Sequence, residues 1–78
     1  MIFLIEYDRA RGEIVRFEAF PDSERHVAED TRLDVEIGLN RDEVDREVVI
    51  LEAESEEALR KTHRRYFENL AELATPSA

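Results

Sequence analysis

The sequence predicts an α+β domain with the element order β-β-α-β-α, a three-stranded, mainly antiparallel sheet in the order 2-1-3 with two helices on one face, a two-layer sandwich. Three observations carry that expectation. Residues 2–7, 13–20 and 47–53 are short runs rich in β-branched and aromatic residues, the composition of strands. Residues 23–39 and 55–73 place apolar residues at helical spacing. A chain of 78 residues has room for one domain, and at that size only about 60% of the unfolded surface is buried on folding, so one thin core is expected.

The first run, Ile2 to Tyr7, is apolar at both odd and even positions. That is the pattern of a central strand covered on both sides. Asp8 to Gly12 has hairpin composition, with Asp8 opening the turn and Gly12 free to take the left-handed conformation that closes it with a bulge. In Glu13 to Phe20, Val15, Phe17 and Ala19 alternate with Arg16 and Glu18, as in a half-buried strand paired antiparallel to the first, and Pro21 ends it.

Asp22 or Ser23 offers an N-cap for a helix from Ser23 to Leu39, with Val27, Ala28, Thr31, Val35 and Leu39 on its core stripe. Leu33 to Leu39 also alternates with period two, so a strand competes there. The helix is preferred because a shorter one would offer too little apolar surface to be held by a core. The polar stretch 40–46 leads to the third strand, Glu47 to Ala53. Ser55 then caps a last helix expected to run to Leu73, with Glu56 and Glu57 in its first turn, four residues before Arg60 and Lys61. The domain is expected to span 1–74, with 75–78 a frayed tail.

A right-handed crossover from the second strand to the third places the third beside the first, which makes the two-sided first strand central. The arrangement resembles a truncated ferredoxin-like α+β plait, a likeness of architecture that carries no function.

Composition narrows the chemistry. The net charge is −9, and residues 22–48 carry ten carboxylates against Arg25, Arg32, Arg41 and Arg46, a local balance of −6. Such a field repels phosphate backbones and favours a basic protein partner, so nucleic-acid binding is not expected. Cysteine is absent, which removes disulfides and thiolate chemistry and fits a reducing compartment; the cytoplasm is the expected location. "MIFLI" meets Glu6 too early to span a membrane or to serve as a signal peptide.

Catalytic motifs are missing. Two glycines cannot build a phosphate loop, and neither a nucleophile elbow nor a paired-histidine zinc motif occurs. No cofactor or metal is expected; His26 and Asp30, four apart, read as an ion pair.

The segment "LRKTHRRYFENL" draws attention because it is basic within an acidic chain. On a helix, Leu59, Thr62, His63, Tyr66, Phe67 and Leu70 share one arc, and Lys61, Arg64 and Arg65 each have a glutamate three or four residues away. His63 stands where a leucine would be ordinary, either as a hydrogen-bonded core histidine or as the anchor of a pocket. Arg60, His63, Arg64 and Tyr66 are therefore the candidate ligand-binding residues of a small-ligand binder or minimal enzyme. With both helices on one face, the other sheet face would expose an apolar row, so a homodimer formed through sheet faces or through edge pairing is expected, with Ile2, Leu4, Val48 and Ile50 the candidate residues of its interface. A noncatalytic, homodimeric interaction module is the leading expectation, and the ligand binder is the alternative.

Overall fold

The computed structural model describes residues 1–67. The expected continuation of the last helix to Leu73, the domain end at 74 and the tail 75–78 lie outside them.

Strand β1 (Ile2–Asp8) pairs antiparallel with β2 (Glu13–Phe20) and with β3 (Glu47–Glu52), giving the sheet order β2-β1-β3. Between β2 and β3 runs α1 (Arg25–Arg41), and after β3 come α2 (Glu56–Thr62) and a 3-10 turn, Arg64–Tyr66. The class, element order and sheet order are those expected. So is helix over Leu33 to Leu39, which lies wholly inside α1.

Local chemistry explains the turns. In the β1–β2 hairpin the Asp8 carboxylate accepts from the Arg11 backbone N–H at 3.1 Å, and the Gly12 N–H donates to the Asp8 carbonyl at 2.8 Å. Gly12 has φ 66°, a conformation that is nearly free only for glycine. The register then slips by one residue, because Glu6 opposes Arg16 while Tyr7 opposes Ile14. Val15 is the extra, bulged residue, 45% exposed. The bulge brings Ile14 onto the inner face beside Phe17, in the place simple alternation assigns to Val15.

The start of α1 departs from expectation. Neither Asp22 nor Ser23 caps it; 22–24 form a 3-10 turn, Glu24 precedes the helix without a side-chain cap bond, and Asp22 pairs with the Met1 ammonium at 2.8 Å. Its C-terminus is a Schellman motif: the Glu43 N–H donates to the Asn40 carbonyl at 3.2 Å and the Val44 N–H to the Leu39 carbonyl at 2.9 Å. Glu43 occupies the left-handed position, φ 56°, where glycine is usual.

Side chains of β1 alternate between two faces, and both are enclosed. Phe3, Ile5 and Tyr7 form one buried cluster with Leu59 of α2 and Tyr66 of the 3-10 turn, and Ile14, Phe17, Val49, Leu51, Ala53 and Phe67 are fitted around it. Aromatic rings join it at Phe3–Phe17 (5.7 Å), Tyr7–Tyr66 (5.2 Å, edge-to-face) and Phe17–Phe67 (5.9 Å). Ile2 and Leu4, on the opposite face, are 0% exposed. There α1 lies across β1 and β3, with Ala28 fully buried. Two ion pairs tie its ends to that face: Arg25 to Glu52, and Arg46, beyond its C-terminus, to Glu6 at 2.6 Å.

The helices therefore cover opposite faces of the sheet in three layers, which corrects the expectation of both on one face. The physical reason is β1 itself. An apolar strand on both sides needs cover on both, and the chain supplies it by turning after β3 onto the face that α1 leaves open.

Candidate functional site

Of the candidate residues of the C-terminal segment, Arg60 and Tyr66 share a crevice that His63 and Arg64 do not line. Helix α2 ends at Thr62, earlier than expected, and His63 is its C-cap, with φ −123° and ψ 51°. His63 is thus not on a helical core stripe. It is half-buried, its ring centroid 6.5 Å from that of Tyr66, and its backbone N–H closes α2 on the Leu59 carbonyl at 2.9 Å. A seven-residue helix is too short to persist by propensity, so tertiary contacts set its end. Here the contact is Tyr66, which the 3-10 turn swings inward against Tyr7.

Tyr66 is engaged rather than available. Its hydroxyl donates to the Glu47 carboxylate and accepts from Arg65 at 2.7 Å, while the Arg65 guanidinium stacks over the Tyr66 ring at 4.2 Å and reaches Glu47 at 2.6 Å. Arg9 adds a third donor to Glu47 at 3.2 Å. The Tyr66 hydrogen bond, with Arg9 and Arg65 beside it, holds the Glu47 carboxyl below the usual carboxylate range, and burial pushes the Tyr66 phenol above its ordinary value. This is a clasp joining the 3-10 turn to β3. Arg60 pairs with Glu56 at 3.4 Å and lies over the Phe67 ring at 4.5 Å. Arg60 and Tyr66 line a crevice of about 320 Å³ with Glu13, Ile14 and Phe67; His63 does not line it. Arg64 opens the 3-10 turn.

The candidate interface residues divide. Ile2 and Leu4 are sealed beneath α1 and present nothing to a partner. Val48 and Ile50 are half-buried on β3, an outer strand of the sheet.

The surface that stands out is the outer side of α1, which periodicity alone did not mark. With Ala28, Thr31 and Val35 turned to the sheet, 100° per residue sends Leu33 and Ile37 to the opposite side, and they are 54% and 55% exposed. As an i, i+4 pair they are neighbours on the helix surface. Glu29, Asp30, Asp34 and Glu36 flank them, all exposed. Glu36 pairs with Arg32 at 3.6 Å, whereas Glu29, Asp30 and Asp34 have no ion-pair partner among the described residues. The period-two alternation that made Leu33 to Leu39 ambiguous was the available signal: it arises because apolar residues lie on both sides of this helix.

Among the described residues no group of three or more His, Asp or Glu side chains gathers as a metal site, and no helix is long and apolar enough to cross a membrane. Comparison with protein-family models, with curated protein sequences and with solved structures finds no match.

Proposed function

We propose that this chain is a noncatalytic, cytoplasmic interaction module whose outer α1 surface docks a basic, amphipathic segment of a partner protein. The observation that carries the reading is the adjacent pair Leu33 and Ile37, each more than half exposed and ringed by Glu29, Asp30, Asp34 and Glu36. A solvated helix face has no need of two aliphatic side chains, and covering the exposed half of each contributes about 1 kcal/mol. The surrounding carboxylates select the partner: they attract lysine and arginine, speed encounter and reject acidic or phosphate-bearing surfaces. A second copy of this chain is a poor occupant of the same surface, since it would bring carboxylates against carboxylates. The sheet-face homodimer loses its basis with Ile2 and Leu4 enclosed.

Fluorescence anisotropy with a labelled synthetic amphipathic helix of leucine and lysine tests the reading. The wild-type chain should bind it, and the double variant Leu33→Ser, Ile37→Ser should bind at least about tenfold more weakly. Equal affinity for the double variant, or no binding by the wild type, overturns it.

A further inference from the structure

We infer that the outer edge of β3 pairs with the same edge of a second copy of this chain, extending the sheet across a two-fold axis. This edge is separate from the α1 surface, and the ladder to β1 decides which backbone groups of β3 point outward. Met1 and Ala53 exchange both hydrogen bonds, the Met1 ammonium donating to the Ala53 carbonyl at 2.9 Å and the Ala53 N–H to the Met1 carbonyl at 3.1 Å. In an antiparallel ladder such pairs alternate, so Phe3–Leu51, Ile5–Val49 and Tyr7–Glu47 also face inward. The N–H and C=O groups of Val48, Ile50 and Glu52 therefore point away from β1, and no hydrogen bond to them is made among the described residues.

The two edges of the sheet differ in their protection. At β2 the Val15 bulge interrupts the strand and Arg16 pairs with Glu18 at 2.9 Å, two devices that discourage strand addition. At β3 the run Val48, Val49, Ile50, Leu51 has no bulge, proline or lysine, and all four side chains are half-buried. An unguarded apolar edge of this kind is a template for another strand.

Self-complementarity identifies that strand. A two-fold axis normal to the sheet makes an antiparallel pair in which opposed residues share a face, and a register that sets Ile50 opposite its own counterpart uses every outward group of β3. The acids do not collide: Glu47 and Glu52 lie on opposite faces, so this symmetry never opposes them. Each is also neutralised within its own chain, Glu47 by Arg9 and Arg65, Glu52 by Arg25.

Sedimentation velocity combined with amide hydrogen exchange tests the inference. From micromolar to millimolar concentration the wild-type chain should approach twice its mass of 9.1 kDa, with the Ile50 amide becoming protected over the same range. Ile50→Pro, which removes an outward N–H without touching the ladder to β1, should stay monomeric. Leu33→Ser, Ile37→Ser should leave the dimer intact, which keeps this result separate from that of the α1 surface. A monomer throughout, or a dimer whose Ile50 amide exchanges as an open edge does, overturns the inference; should Ile50→Pro fail to fold, wild-type exchange decides.

Discussion

The Tyr66 hydroxyl donates to the Glu47 carboxylate across a sequence separation of 19, and through this bond the C-terminal 3-10 turn is fastened to β3. The turn follows directly on the end of α2 at Thr62. Tyr66→Phe keeps the ring and its edge-to-face contact with Tyr7 while removing the hydroxyl. It should destabilise the chain by about 1–3 kcal/mol, the effect of leaving a mostly buried carboxylate short of one donor. Urea unfolding with an unchanged slope and a lower midpoint is the expected observation.

The same clasp fixes the sign of the pH response. Glu47 titrates below its ordinary value when folded, so its stabilisation is full above the unfolded value of about 4.3 and is lost as pH falls through the lower, folded one. Tyr66 titrates above its ordinary value; its contribution is full below about 10 and is lost as pH rises beyond that. Glu47→Gln should remove much of the acid-side slope of stability against pH. Melting temperatures of the two chains across the acid range measure it.

Glu43 holds a left-handed conformation that costs an L-residue roughly 1–2 kcal/mol. Glu43→Gly relieves that cost at the Schellman position, and even after the greater freedom of glycine in the unfolded chain it should stabilise by about 0.5–1 kcal/mol. A melting temperature raised by a few degrees is the expected result.

His63 caps a helix and is half-buried. His63→Ala should therefore change stability by less than about 1 kcal/mol, below the cost of deleting a core side chain. Chemical denaturation of the variant against wild type gives the value.

Much of the fold was legible because its signals are local. The strand runs, Gly12 as the left-handed closing residue and Ser55 as the cap of α2, where its hydroxyl accepts from the Ala58 N–H at 3.1 Å, all follow from a few adjacent residues. The two-sided composition of β1 correctly marked it as central. Where that strand finds its second cover is a tertiary matter, and placing both helices on one face turned an internal surface into an expected interface, with Ile2 and Leu4 in it. The Val15 bulge and the end of α2 at Thr62 were hidden for the same reason: each is decided by a partner distant in sequence, Glu6 and Tyr7 for the first, Glu47 and Tyr7 for the second. Leu33 and Ile37 were visible in the sequence as apolar residues, but their outward position follows only once α1 is known to be one helix with Ala28 beneath it.

The docking surface on α1 is tested most directly by recording amide chemical shifts of the isotope-labelled chain while the leucine–lysine peptide is added. The largest changes should fall in a contiguous patch at Asp30, Leu33, Asp34 and Ile37, weakening as salt is raised because the flanking carboxylates supply the long-range attraction. Changes centred on α2 and the 3-10 turn, or spread evenly over every acidic residue of the surface, would contradict it.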